Sequence, residues 1–291
     1  MYCKIYLEKR RIMVCRIPEK GVEHLLAWGF VFLLTIIIHT TDSLSYALRL
    51  GGLRARRIGL ALTVAGMLLL VSRTSNMAQG PLLGGMVDQA KESAQLGGTD
   101  TRLELYMHGV LLAATVGTMF AILLYPTVVR MSARWIVHLE HTGSIPALIR
   151  HLMSRNRWKH AGYYIKRPSW SMLTSLISGV IPKRLIILNI AVTAIYTTGV
   201  VSALYASFLW PAQGTAMSMS SGLINGVATV LLTLLIDPRL AVLSEKTLRG
   251  ELPLIRMNSV YGWMIISRLA GTLLAQLLLV PLAIWLGWVM S

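Results

Sequence analysis

The chain has 291 residues, 55% of them hydrophobic and 14% charged, with a mean hydropathy of +0.61. Soluble domains are roughly 45–50% apolar and about 25% charged, so a soluble globular fold is excluded and an all-α integral membrane protein is expected. The 28 Lys and Arg outnumber the 12 Asp and Glu to leave a net charge of +16, distributed between apolar runs. That distribution points to anionic membrane lipids as a partner and away from nucleic acid.

The N-terminal 20 residues carry six Lys and Arg (Lys4, Lys9, Arg10, Arg11, Arg16 and Lys20) and both cysteines, Cys3 and Cys15, whose spacing matches no zinc or redox motif. No structural role is assigned to the cysteines. No convincing small-residue cleavage site follows, so a signal peptide is not expected. Residues 1–21 read as an extension, with a natural start near Met13 as one explanation of its basic character. Residues 22–291 then form a single transmembrane domain.

Six spans are expected in that domain. Leu25 to Thr41 carries no formal charge, Ile58 to Val87 is interrupted only by Arg73, and Leu105 to Val129 is an uncharged run of 25 residues. Leu185 to Ile236 is uncharged for 52 residues, too long for one crossing, and Trp210-Pro211-Ala212-Gln213-Gly214 supplies a turn that makes it a helical hairpin. Met257 to Ser291 contains only Arg268 and completes the set, with Pro281 as a site of bending. The Arg49–Arg57, Arg130–Arg184 and Arg239–Arg256 stretches hold 18 Lys and Arg between them, whereas the other loops hold only Lys91 and Arg102. By the positive-inside rule the three basic stretches face the cytoplasm and both termini lie outside.

The basic segment 130–184 is the longest expected to lie outside the spans. Ile145, Leu148, Ile149, Leu152 and Met153 share one helical face and Arg150, His151, Arg155 and Arg157 another, with Trp135, Trp158 and Trp170 nearby. This is an interfacial amphipathic pattern, read as an anchor on anionic lipid or as a substrate lid. Pro168 to Pro182 is uncharged but short, and either lies in the interface or re-enters the membrane.

Charges inside apolar runs carry the most information, because an ionised side chain at the bilayer centre costs at least about 2.5–3.5 kcal/mol. Arg73 and Arg268 fall well inside their spans, and Thr35, His39, Asp42, Tyr46 and Arg49 form a polar stripe at three-to-four spacing along the first helix. These side chains are expected to point inward. Asp42 either pairs with an arginine to order the bundle or belongs to a substrate site, and one carboxylate cannot neutralise both arginines. Arg73 to Pro81 places hydrogen-bonding side chains, among them Asn76 and Gln79, beside a helix breaker at membrane depth, which suggests a cavity lining. His39 and His108 are either proton relays or simply hydrogen-bonded. The four-residue spacings of Ala113, Gly117 and Ala121, of Ser218, Gly222 and Gly226, and of Gly80 and Gly84 suggest close helix contacts.

Catalytic signatures are missing. Arg167-Pro168 occurs, but without the Lys and the Ser-Gly-His of phosphatidic-acid-type phosphatases, and the sequence has no serine-protease elbow, His-Glu-x-x-His zinc site or nucleotide-binding loop. No cofactor is expected, and a transporter is favoured over an enzyme.

Three stretches carry a resemblance. His39-Thr40-Thr41-Asp42-Ser43-Leu44-Ser45-Tyr46-Ala47-Leu48-Arg49 with its continuation through Arg54, Arg56 and Arg57, the run Ser72-Arg73-Thr74-Ser75-Asn76-Met77-Ala78-Gln79-Gly80-Pro81 with Asp88, and Leu235-Ile236-Asp237-Pro238 are similar to the Amj family of lipid II flippases, bacterial proteins named as alternates to MurJ. The resemblance runs from about Leu25 to Met257. It implies movement of the undecaprenyl-linked peptidoglycan precursor, lipid II, from the inner to the outer leaflet of the cytoplasmic membrane. Carrier-phosphate recycling is a close variant, and an intramembrane lipid-phosphate hydrolase is the alternative of a different class. A lipid II headgroup needs a wet cationic groove open towards its tail, and Arg73 and Arg268 are the candidates to hold its pyrophosphate in a bidentate fork. Arg49, Arg54, Arg56 and Arg57 are read either as first gatherers of the headgroup or as a positive-inside anchor. Without a nucleotide motif, the driving force is expected from the membrane potential.

Overall fold

The computed structural model describes residues 2–3, 15–16, 19–95, 102–144, 146, 150, 176 and 183–290. Apart from a two-residue antiparallel pairing of Tyr2–Cys3 with Cys15–Arg16 and short links between helices, these residues are helical. The helices are α1 (Glu19–Arg54), α2 (Ile58–Gln95), α3 (Arg102–Thr142), α4 (Lys183–Leu209), α5 (Gly214–Leu231), α6 (Asp237–Leu248) and α7 (Leu254–Met290). A five-residue π-helical turn, Leu232–Ile236, joins α5 to α6 without a break, so that Pro211–Leu248 forms one span among six. The expected all-α bundle of six spans is thus present.

Several boundaries differ from those read in the sequence. Arg49 and Arg54 belong to α1, and the link to α2 is only Ala55 to Arg57, with Arg56 in the left-handed region at φ 57°. Helix α3 runs on to Thr142, so Arg130, Arg134 and Trp135 end a spanning helix and do not open a loop. Arg239 and Lys246 lie in α6. In each case an uncharged run underestimates the helix, because charged residues continue it past the hydrocarbon boundary at no cost to backbone hydrogen bonding. Pro81, expected to break α2, lies inside a continuous helix. Most of the amphipathic stretch Ile145 to Lys159 and most of Pro168 to Pro182 lie outside the described residues. Within the latter, the Leu176 carbonyl accepts a 2.9 Å hydrogen bond from Trp263 Nε1 on α7.

The polar stripe of α1 turns inward, with Thr35, His39, Asp42, Ser43 and Tyr46 all buried, while Leu26, Phe30 and Leu33 face outward. Outward apolar side chains recur on every span, as a lipid environment requires. Helix α1 packs between α2 and α3, and α4 packs against α5 and α7. Helices α2 and α5 are peripheral: their most apolar stretches are only 17% and 22% buried, against 61% for α1.

Close helix approach depends on a few glycines. A Cβ at Gly117 of α3 would collide with the Ile36 backbone of α1, and one at Gly271 of α7 with Thr193 and the Ile190 carbonyl of α4. The expectation of close contact at Gly80, Gly84, Gly222 and Gly226 fails, since a Cβ at any of them meets nothing within 4 Å. These glycines lie on the lightly packed faces of α2 and α5.

A buried charged cavity as the candidate functional site

At 1.5 Å per helical residue, Asp42 lies about 18 Å from Arg54 at the end of α1, Arg73 about 22 Å from Ile58, Tyr196 about 20 Å from Lys183, and Arg268 about 21 Å from Leu254. Four helices therefore bring these side chains to one depth, and that depth falls inside a hydrocarbon layer of about 30 Å. There they line a cavity of about 50 Å³ together with Tyr46, Arg49, Thr229 and Asp237.

Three arginines and two carboxylates meet in this cavity. Arg268 Nη2 donates to Asp42 Oδ2 at 3.4 Å and its Nε to Ser43 Oγ at 3.0 Å. Arg49 Nη1 donates to Asp237 Oδ1 at 2.7 Å, and its guanidinium carbon stands 5.8 Å from the centre of the Tyr46 ring. Arg73 makes no ion pair among the described residues. Its guanidinium rests 5.4 Å from the Tyr196 ring centre and reaches the Tyr196 hydroxyl and Thr229 Oγ1 only at 3.5 Å, longer than a strong hydrogen bond. The cavity thus carries one cation more than its carboxylates balance.

The position of Asp237 has a local cause. Pro238 has no N–H to offer, and the Asp237 N–H reaches back five residues to the Leu232 carbonyl, closing the π-helical turn. The widened turn sets Asp237 opposite Arg49 of α1. Asn189 anchors the neighbouring wall: its Nδ2 donates to Ser267 Oγ at 2.7 Å and to the Met264 carbonyl at 2.9 Å, and its Oδ1 accepts from the Tyr46 hydroxyl at 3.2 Å.

The candidates named from sequence divide into three groups. Asp42, Tyr46, Arg49, Arg73 and Arg268 converge on the central cavity. His39, Asn76 and Gln79 line a neighbouring cavity of about 30 Å³, also bounded by Tyr196, where Gln79 Nε2 donates to Thr35 Oγ1 at 2.8 Å. Arg54 and Arg57 are not part of either cavity: Arg54 donates to Asn258 Oδ1 at 3.0 Å, and Arg57 forms an exposed ion pair with Glu140 at 2.7 Å, which raises its pKa. His108 forms a 2.9 Å hydrogen bond with Gln276, as the simpler of its two readings has it, whereas His39 Nδ1 is buried without a partner among the described residues. Tyr196, Asn189, Thr229 and the site position of Asp237 escaped the sequence reading. The first three are uncharged members of apolar runs. Asp237 flanks a proline, and that was the only signal of its position.

In this conformation the central cavity has room for only about two waters, far less than a pyrophosphate-linked headgroup. Three arginine side chains thus meet in one small pocket at the middle of the bundle.

The six spans and the interior charges define a multi-pass helical membrane protein with a cationic site at bilayer depth. The chain belongs to the Amj family, described as alternate to MurJ, whose model matches residues 34–290. It is 39% identical over 261 residues to the protein named Lipid II flippase Amj of Bacillus subtilis (strain 168), covering 89% of this chain and 95% of that protein. No solved structure matches it.

Proposed function

We propose that the chain is a lipid II flippase of the bacterial cytoplasmic membrane, a transporter and not an enzyme, carrying the undecaprenyl-linked precursor from the inner to the outer leaflet. The observation that carries this reading is a surplus of arginine over carboxylate in a cavity at bilayer depth, in a chain 39% identical to a protein of that name. Arg73 is the primary contact for the pyrophosphate, because its guanidinium is not committed to a carboxylate and its planar fork matches phosphate oxygens. Arg268 joins once the headgroup displaces Asp42. Asn76 and Gln79 of α2 serve the uncharged part of the headgroup, and anionic lipids hold the basic end of the bundle.

The basic end comprises Arg54, Arg56, Arg57, Lys183, Arg184, Lys246 and Arg249, and it faces the cytoplasm. Both termini then lie outside the cell. Residues 22–291 act as one transmembrane unit. An outward-moving anion gains about 2.3 kcal/mol per charge per 100 mV in a cell with a negative interior, which supplies the driving force.

The deciding experiment reconstitutes the purified protein with fluorescent lipid II and follows access of an external quencher or enzyme. Protein-dependent flipping that speeds up when the potential drives anions outward is the expected result. No flipping, or release of inorganic phosphate from the lipid, would overturn the reading. Impermeant thiol reagents should label a cysteine at Lys246 only from the cytoplasmic side.

A further inference from the structure

Four cavities follow one another from the basic end of the bundle to the opposite end, each sharing a wall with the next. The first, of about 430 Å³, is bounded by Leu62 of α2 and Ser244 and Glu245 of α6, and it shares Arg49 and Asp237 with the central cavity. The central cavity shares Tyr196 with the 30 Å³ cavity of His39, Asn76 and Gln79. That one shares Val200 with a fourth, of about 440 Å³, which contains Gly80, Gly84, Ser207 and Ser218 and is flanked by Asp88 and Lys91.

The order is the same on separate helices. Along α2 the lining residues run Leu62, Arg73, Asn76 with Gln79, then Gly84 with Asp88, and along α4 they run Thr193, Tyr196 with Thr197, then Val200, Leu204 and Ser207. Polar atoms without a protein partner among the described residues recur in the narrow middle: Arg49 Nε, Thr193 Oγ1, His39 Nδ1 and Thr197 Oγ1. Buried polar groups are rarely left unpaired unless water or a polar ligand reaches them. The bare glycines Gly80 and Gly84 of α2 leave the far end of the series wide.

From this series we infer that the four cavities are one translocation path, closed at two gates: the Arg49 to Asp237 ion pair towards the basic end, and the Tyr196 ring, held by Arg73, towards the opposite end. The inference rests on the transport reading and specifies its moving parts. The ion pair is the wall common to the first two cavities, so separating it joins about 430 Å³ of space to the cationic site. The π-helical turn beneath Asp237 offers the means, because slipping it by one residue to α-helical register rotates Asp237 by about 100° away from Arg49. On the other side, an anion that takes hold of Arg73 removes the cation from the Tyr196 face and frees the ring to swing. Binding of the headgroup therefore loosens the far gate, and it closes the near one again when Arg49 returns to Asp237.

The test uses the full chain with Cys3 and Cys15 replaced by serine and one reporter, Ser45→Cys, whose native serine is 4% exposed and lines the central cavity. Labelling by a membrane-impermeant maleimide is measured from each face separately. With both gates intact, labelling is slow from either side. Asp237→Asn should speed it roughly tenfold from the basic face alone, and Tyr196→Ala by a similar factor from the opposite face alone, since the rate follows the open fraction. Tyr196→Phe keeps the ring and should stay slow, and exchanging the pair as Arg49→Asp with Asp237→Arg should restore the slow rate at the basic face.

Thr118→Cys, fully buried on α3 and outside all four cavities, serves as the control for unfolding. If Asp237→Asn exposes this control, Arg49→Gln, which breaks the same pair from the other side, replaces it in the same comparison. Faster labelling from both faces with the control still buried, an unchanged rate in Asp237→Asn or Tyr196→Ala, or a failed exchange would overturn the gates. The readout needs no lipid II, so loss of face-selective labelling with flipping retained strikes the gates alone. Face-selective labelling without lipid II flipping strikes the substrate assignment alone.

Discussion

Two groups of arginines, separated by about 20 Å along the bundle, do different things. Arg54 and Arg57 sit at the basic end, where Asn258 and the exposed Glu140 meet them and water competes for every bond. Arg73 and Arg268 lie a few turns deeper, where Arg268 is only 6% exposed and each contact replaces hydration that is no longer available. The residue type is the same. What differs is the cost of leaving the charge without a partner: Arg268 is tied to Asp42 and Ser43 and Arg73 rests on the Tyr196 ring, whereas the shallow arginines can exchange their partners for water.

The largest effect should come from breaking the deep pair. Arg268→Leu leaves Asp42 buried without its guanidinium, and unfolding in detergent should register a loss of about 3 kcal/mol together with loss of transport. A variant as stable as the parent would show that the deep pair is as dispensable as a surface one.

Next, Arg73→Lys keeps the charge and loses the fork. Transport should fall roughly tenfold while the thermal midpoint stays where it was. Full activity in the lysine variant would reduce Arg73 to a point charge and erase its distinction from the arginines of the basic end.

The glycines sharpen the same comparison in terms of volume. Gly271→Val drives a side chain into Thr193 and the Ile190 carbonyl and should cost about 1–3 kcal/mol, whereas Gly222→Ala, which meets nothing, should be neutral or slightly stabilising in the same unfolding assay. Equal effects would mean that α5 packs as tightly as α7. The smallest effect is expected at the surface: Arg57→Ala removes an exposed pair with Glu140 and should leave both thermal midpoint and transport unchanged.

What the sequence by itself determined is what depends on short stretches of chain. Five apolar runs, one of them long enough for two crossings, specify six spans, because a backbone in hydrocarbon must satisfy its own hydrogen bonds within about 20 residues. The inward polar stripe from Thr35 to Arg49 was legible for the same reason, since helical periodicity puts those side chains on one face wherever the helix goes. The resemblance to the Amj family was likewise carried by local strings. Only the tertiary structure decided which charges meet. Asp42 finds Arg268 across 226 positions and Arg49 finds Asp237 across 188, and in both cases every intervening helix must pack before the pair exists. The uncharged Tyr196 and Asn189 became parts of the site only through that packing, and packing alone set Gly80 and Gly84 of α2 beside a cavity. A glycine in an apolar run reads the same whether a neighbouring helix covers it or a cavity does, because the run records how greasy a face is and not what stands opposite it.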